Sequence, residues 1–375
     1  MPTTPDRSTL TVSEVEEISL AVISEEYHNK GGAIRLDNIE TPTLNMTMKS
    51  SASAFPAKGG YKVIVKDNRK GALQTWSGRD LLTFDSYNTI FELQYGMARV
   101  HMGDEWISQQ LEEAGIAVEY DTSNGKLPGG RMTSATWEVA VNLAKSKVED
   151  LRENWQRRLA HLQWTDNSSD TKAPDGIDNL LPIANTTGSI GGKSRTNPLL
   201  QHHVRAISGL DTLELDLMQV RRAANKRNGD GSRTDFVVCG ETIYDKMADL
   251  WLGTSTRAGK FDRNLAAAQA QEMAAKWGIG IPDDAFAIPG VGIIMIEPLF
   301  EDLDQENPGL SVPFQKRMYG MNRKHIAFKA PKGKDGKTTV HPMPYNQRIH
   351  RVSTHGEYCQ FLTKPNAFWI AYDNI

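Results

Sequence analysis

Residues Thr186 to Pro198 read TTGSIGGKSRTNP. Three glycines followed by Lys193 and Ser194 suggest a loop that cradles phosphate. Such a loop places its first glycine five residues before the second, and then Lys and Ser or Thr. Counting back from Gly192 reaches Thr187, while Gly188 would leave the loop one residue short. That first glycine serves a backbone conformation that a side chain opposes, so the mismatch matters. A phosphate loop also follows a buried strand and opens a helix. Upstream, NLLPIANTT is broken by Pro182, and downstream Pro198 drives Asn197 out of the helical region. The stretch reads instead as a flexible, glycine-rich surface connection.

The rest of the chain sets the frame for that connection. It has 375 residues, 39% hydrophobic and 24% charged, with a net charge of −3. This is ordinary for a soluble globular protein and leaves room for two or three domains. No run approaches the ~18 apolar residues of a membrane span. The start, MPTTPDRSTL, has no apolar core and reads as no secretory signal. Cys239 and Cys359 are the only cysteines and read as reduced, buried thiols. The acidic balance excludes a strongly basic nucleic-acid binder and leaves room only for local, weak contact.

Ser13 and Glu16 form a capping box, and Val15, Ile18, Val22 and Ile23 follow at helical spacing. Residues 33–60 run without clear period and read as an extended arm that needs a partner surface. YKVIVK (61–66) alternates as a strand, GALQTW (71–76) is a second candidate, and YNTIFELQYGMARVHM (87–102) alternates over a longer distance. Phe91, Leu93, Tyr95 and Met97 fall on one of its faces. Residues 61–103 therefore read as a long two-stranded ribbon, which is marginal alone and must lie on something.

DEWISQQLEEAG (104–115) reads as a short helix and YDTSNGKLPGG (120–130) as a loop. From Ser134 the apolar residues Trp137, Val141, Ala144, Val148, Leu151, Trp155, Leu159 and Leu162 step by three and four. They predict one helix over 134–164 with a single apolar stripe, roughly 40 Å long. TDNSSDTKAPDG (165–176) reads as a polar linker and domain boundary. A mixed α/β region follows. It has helices around 211–227 and from Glu241 to Trp251, and an alanine-rich segment at 264–277. Its strands are DFVVCG (235–240), AFAIPG (285–290), VGIIMIEP (291–298) and HIAFKA (325–330). RIHRVST (348–354), YCQFLT (358–363) and AFWIAYD (367–373) predict three further strands.

The inventory of chemistry is empty. His202 and His203 are adjacent and read as ordinary polar residues, and His341, His350 and His355 lack metal-ligand spacing. EPLFEDLDQENPG (297–309) lacks the spacing of a calcium loop and reads as a solvated acidic loop. RRAANKR (221–227) reads as a solvated basic face. No hydrolase elbow, zinc-protease helix or dinucleotide fingerprint appears. No cofactor and no metal is expected.

The order of elements and several local stretches resemble the major capsid protein of tailed bacteriophages, the Hong Kong 97-like fold. Gly176-Ile177-Asp178, then Gly188-Ser189-Ile190-Gly191-Gly192, then Arg195-Thr196-Asn197-Pro198 resemble the family's start of the axial domain. RTDFVVCGETIYDKMADL (233–250) and KRMYGMNRKHIAF (316–328) resemble further axial segments. Leu199-Leu200 stands where the family often has tryptophans, and residues 104–132 exceed its usual link.

The resemblance implies an α+β fold in five parts. Residues 1–60 would be an N-terminal helix and arm, and 61–103 an extended β-ribbon loop. Residues 104–176 would be a peripheral domain with the 134–164 spine helix, 177–340 an axial domain, and 341–375 strands returning to the peripheral domain. Trp76, Arg79, Asp80, Leu82, Phe84, Phe91 and Tyr95 would be ribbon contacts with a neighbouring subunit. Trp137, Val141, Val148, Leu151, Trp155 and Leu159 would form the core side of the spine. Gly188, Gly191, Gly192, Arg195 and Asn197 would shape the loop that opens the axial domain.

The implied partner is the chain itself, as hexamers and pentamers in an icosahedral shell around DNA, assembled in the host cytoplasm. Scaffolding, portal and decoration proteins are further implied partners, with weak, non-specific contact to packaged DNA and no membrane. Some family members cross-link Lys to Asn, for which Lys62, Lys66, Lys70, Asn366 and Asn374 are the residue types at hand. The alternatives are an encapsulin-like compartment of the same fold, or a nucleotide-binding enzyme using residues 188–194.

Overall fold

The computed structural model describes residues 41–48, 60–66, 90–107, 151–152, 154–165, 172–226, 233–251, 262–278, 280–288, 291–341 and 349–373. Residues 104–107, expected to open a helix over 104–115, are instead the end of a strand, Ala98–Ile107. The expected N-terminal helix, GALQTW, residues 108–115 and the first half of the spine helix lie outside the described residues. Two compact units emerge, one within Arg99–Arg158 and Ala330–Glu357, the other within Glu40–Ala98, Leu159–Lys329 and Tyr358–Ile375.

The second unit is built on a six-stranded sheet. Its strands are β6 (His203–Ile207), β7 (Phe236–Cys239), β8 (Phe286–Ile288), β9 (Gly292–Ile296), β10 (Arg317–Met321) and β14 (Trp369–Asp373), in the order β6-β14-β10-β7-β9-β8. β14 runs parallel to β6 and β7 parallel to β9, while the other neighbours are antiparallel. Every residue of β7 and β10 is buried. A strand buried on both faces carries a nearly continuous apolar run, as FVVC does.

Helices cover this sheet. α3 (Leu210–Lys226) turns Leu213, Leu217, Val220 and Ala224 into the core beside Val237, Cys239 and Trp369. Their spacing of four, three and four is the sequence signature of one buried helical face. α4 (Glu241–Trp251) adds Ile243 and Met247 to the same cluster. The alanine-rich segment is α5 (Arg263–Trp277), capped by the Asp262 carboxylate, which accepts the Leu265 N–H at 3.0 Å. It ends at Gly278, whose φ of +67° is the usual left-handed stop.

Three expectations change here. The C-terminal strand does not return to the peripheral strands: β14 lies between β6 and β10 in the six-stranded sheet. Its run AFWIAYD is almost wholly apolar, so it takes a central position. Second, residues 297–309 are no loop, because α6 (Leu299–Glu306) buries Leu299, Phe300 and Leu303. Third, RIHRVST and YCQFLT are one strand, β13 (Ile349–Leu362), continuous through Gly356.

β11 (Ile326–Lys329) pairs with the end of β13, from Leu362 back to Cys359. In the first unit, β12 (Lys337–His341) pairs with β13 from His355 back to Arg351, and β3 (Ala98–Ile107) also pairs with β13. Ion pairs decorate that sheet, Arg99 and Lys334 with Glu357 and Arg351 with Glu105, at 2.9 to 3.3 Å. Their cations are exposed, so they contribute little.

Candidate assembly surface

The ribbon and the glycine-rich loop were expected to serve different purposes, but they pack on each other. β1 (Tyr61–Lys66) and β2 (Ile90–Tyr95) are antiparallel, in a register from Tyr61 opposite Tyr95 to Lys66 opposite Ile90. Side chains alternate, so Tyr61, Val63, Val65, Phe91, Leu93 and Tyr95 share one face. Burial along that face decays outward: Leu93 and Tyr95 are fully buried, Val65 and Phe91 half-buried. The opposite face is open, and on it Ile64 is 74% and Ile90 55% exposed.

The base of the ribbon is anchored in its own chain. Tyr61 stacks on Phe361 with centroids 3.9 Å apart, and Lys329 lies 5.9 Å above the Tyr61 ring. The Tyr95 hydroxyl donates to the Leu362 carbonyl at 2.7 Å, and burial pushes its pKa well up. Tyr95 is therefore an internal anchor, contrary to its expected place at a subunit contact. Phe91 stands half-buried at the outer edge of the described ribbon. Trp76, Arg79, Asp80, Leu82 and Phe84 lie outside the described residues.

The stretch 186–198 is a hairpin. β4 (Ser189–Ile190) and β5 (Lys193–Ser194) pair across Gly191 and Gly192, whose φ values are +53° and +74°. A two-residue turn with positive φ at both positions matches strand twist, and glycine takes it without strain. Gly191 also meets the ribbon: its carbonyl accepts the Gln94 N–H at 3.0 Å, and a Cβ on it would lie 2.7 Å from Leu93 Cβ. The connection is thus a fixed turn, not a flexible crossing. Gly188 has a φ of +77° in open space, and Lys193 is exposed.

Arg195 and Asn197 hold the next turn. Arg195 is buried, and Nη2 donates to the carbonyls of Asn179 and Leu180 at 3.0 and 2.7 Å. Burial lowers its pKa to about 10, although Tyr95 and Asp175 pull the other way. The Asn197 side chain accepts the Leu199 N–H at 3.1 Å. His202 is 1% exposed, and burial, then the Arg195 charge, lower its pKa to about 3, so it is no ordinary polar residue.

The Gly176-Ile177-Asp178 motif now has a physical reading. A Cβ at Gly176 would collide with the Thr165 carbonyl, so only glycine allows these two backbones to touch. Ile177 is fully buried, and Asp178 pairs with Arg317 at 2.6 Å. Arg317 also donates to the Val312 carbonyl and the Tyr319 hydroxyl, and burial pushes the Tyr319 pKa well up. Sequence reasoning missed Arg317, because its partner is 139 positions away. Leu151, Trp155 and Leu159 of the spine stripe are buried, while Trp137, Val141 and Val148 lie outside the described residues. Asn366 is 5% exposed and Lys62 pairs with Glu92 at 2.7 Å.

Among the described residues no group of His, Cys, Asp and Glu could hold a metal, and no helix is long and apolar enough to cross a membrane. No protein-family model matches the chain, and no curated protein matches it. Solved structures do. The capsid of Myoviridae phage XM1 is similar over 89% of this chain and 92% of that one, at 13% identity and a TM-score of 0.52. The capsid asymmetric unit of cyanophage A-1(L) is similar over 91% of this chain and 95% of that one, at 12% identity and a TM-score of 0.51. At such low identity the likeness speaks for the fold, and it runs nearly end to end in both. The chain therefore has the α+β, Hong Kong 97-like capsid fold.

Proposed function

We propose that this chain is the major capsid protein of a tailed double-stranded DNA phage, a shell subunit and not an enzyme. The observation that carries this reading is the capsid fold over nearly the whole chain, similar to that of phage XM1 over 89% of its length. The ribbon adds to it, because Ile64 and Ile90 stand exposed on a two-stranded element. Covering one such side chain yields about 1.5–3 kcal/mol, and symmetry multiplies that over many copies. The net charge of −3 suits a container that holds its genome without gripping it.

Electron microscopy of the purified protein tests the proposal, with large, regular particles expected. A compact monomer under all conditions would refute it. Particles filled with protein cargo and free of DNA would point to a compartment of the same fold.

A further inference from the structure

Cationic side chains from two distant stretches of the chain meet at one end of the six-stranded sheet. β7 begins where β10 ends, with Phe236 opposite Met321. The residues that flank this pair are tied together. Asn322 Nδ2 donates to the Arg233 carbonyl, 89 positions away, and its Oδ1 accepts the Lys324 N–H at 2.9 Å. Asp235 Oδ2 accepts the Arg323 N–H at 3.0 Å. Arg233, Arg323 and Lys324 therefore spring from one knot of backbone. α3 brings further cations. Arg222 and Lys226 stand exposed on its last turns, and Arg221 is half-buried beside them. Burial, then the charges of Arg233 and Arg222, lower the Arg221 pKa, which sets the α3 cations beside that knot. Arg221 Nε and the Asn225 Oδ1 one turn on are buried without a hydrogen-bond partner among the described residues. RRAANKR is thus more than a solvated face.

The sequence concentrates charge at the same place. Residues 221–233 hold five Arg or Lys against one acid, Asp230, a local balance of +4 in a chain of net −3. The C-terminal carbonyls of α3 account for Arg222 and Lys226, since cations favour a helix C-terminus. They do not account for Arg233, before β7, or for Arg323 and Lys324, in the turn after β10. Asp235 faces Arg323 and Lys324, but it is half-buried and its Oδ2 is occupied. Arg323 is engaged within the chain. Its Nε donates to the Met46 carbonyl of α1 (Pro42–Thr47) at 3.3 Å, and it lies 5.0 Å from the centre of the Trp277 ring. Two buried acids of the sheet stand at its other end. Glu297, after β9, accepts the Thr43 N–H of α1 at 3.1 Å, and Asp373, ending β14, pairs with Lys246. Arg222, Lys226, Arg233 and Lys324 are all exposed.

We infer that this end of the sheet binds the phosphate backbone of double-stranded DNA without reading its sequence. The choice of ligand rests on the shell reading. Exposed cations spread over a helix end and two loops suit a repeating row of phosphates better than a single enclosed one. Contacts of this kind position a protein on a duplex and carry no sequence information. They are also sensitive to salt. Neutralising about four phosphates costs on the order of a hundredfold in affinity between about 50 and 200 mM salt. The patch gives a net-acidic shell a local, weak hold on the genome.

Fluorescence anisotropy of labelled duplexes of roughly 20 base pairs, titrated with the full chain at several salt concentrations, tests it. Two unrelated sequences should bind alike and with the same steep salt dependence. Replacing Arg222, Arg233 and Lys324 together by Ala should make the log–log salt slope shallower by about 3, roughly one for each cation lost. The melting temperature should hold, because all three side chains are exposed. Lys66→Ala, Lys193→Ala and Lys332→Ala together remove three exposed cations elsewhere and should leave the slope unchanged. No salt-sensitive binding by the wild type, an unchanged slope in the first variant, or an equal loss in the second would each overturn the inference. Loss of particles by the first variant with duplex binding intact would make the patch a subunit contact and overturn it too. If the first variant does not fold, Lys324→Ala alone decides, with a slope shallower by about 1 expected. Particle formation by the wild type is scored separately, so failure of the shell reading and failure of this site are distinct results.

Discussion

Trp369 occupies the place that a side chain at residue 320 would need. The two residues face each other across β14 and β10, and a Cβ on Gly320 would fall within the indole ring. The indole N–H donates to the Thr234 hydroxyl at 3.0 Å, which fixes the ring over the glycine. The glycine at 320 is thus a space for tryptophan, set by the residue opposite it on the neighbouring strand.

Gly320→Ala should destabilise the subunit by about 1–3 kcal/mol, the usual cost of overpacking a filled core. Trp369→Phe should recover part of that loss in the double variant. Denaturant unfolding of the four proteins measures the coupling, and simple additivity would show that the contact is unimportant.

Asp178→Ala should cost about 3 kcal/mol, because it leaves the Arg317 guanidinium buried without its carboxylate. Arg317 is 3% exposed and Asp178 19%. Arg317→Lys should not restore stability, since an ammonium cannot also reach the Val312 carbonyl and the Tyr319 hydroxyl as the planar fork does. Thermal unfolding of both variants is the check.

At the hairpin, Gly192→Ala should cost about 1 kcal/mol through its positive φ. Gly191→Ala should cost more, because its Cβ would also press on Leu93. Lys193→Ala should change neither stability nor any nucleotide binding. A nucleotide-dependent rise in melting temperature, abolished by that substitution, would revive the phosphate-loop reading.

His202 sets an acid limit. Its folded pKa of about 3 lies below the ordinary 6.5, so the folded state rejects the proton. That stability is present above the ordinary value and is lost as pH falls toward the depressed one, by up to about 1.4 kcal/mol per pH unit. Urea unfolding between pH 7 and 4 should show a shallower slope for His202→Asn than for wild type. Equal slopes would mean that other groups carry the acid sensitivity.

Ile64→Asp with Ile90→Asp should block assembly and leave subunit stability within about 0.5 kcal/mol, as exposed substitutions usually do. Particle yield against the subunit melting temperature separates the two effects. Normal particles from the double variant would place the contact elsewhere.

Much of this fold was legible in one dimension, for a common reason. Helices α3, α4 and α5 and strands β7, β9 and β11 are dictated by the spacing of apolar residues along a short span. The alternation in 61–66 and 87–102 marked the strands of the ribbon, though not their register. The count of residues before Lys193, with Pro182 and Pro198, spoke against a phosphate loop. The decisions left to the tertiary structure all involve partners far apart in the chain. They are Tyr95 on Leu362, Asp178 on Arg317, Thr43 on Glu297, and β14 between β6 and β10. No local pattern encodes them, because a buried polar group or a central strand is stabilised only by the neighbour that arrives when the chain folds. The sequence alone showed that TTGSIGGKSRTNP misses the spacing of a phosphate loop by one residue, and only the approach of Gln94 and Leu93 to Gly191 decided that it is a clamped turn.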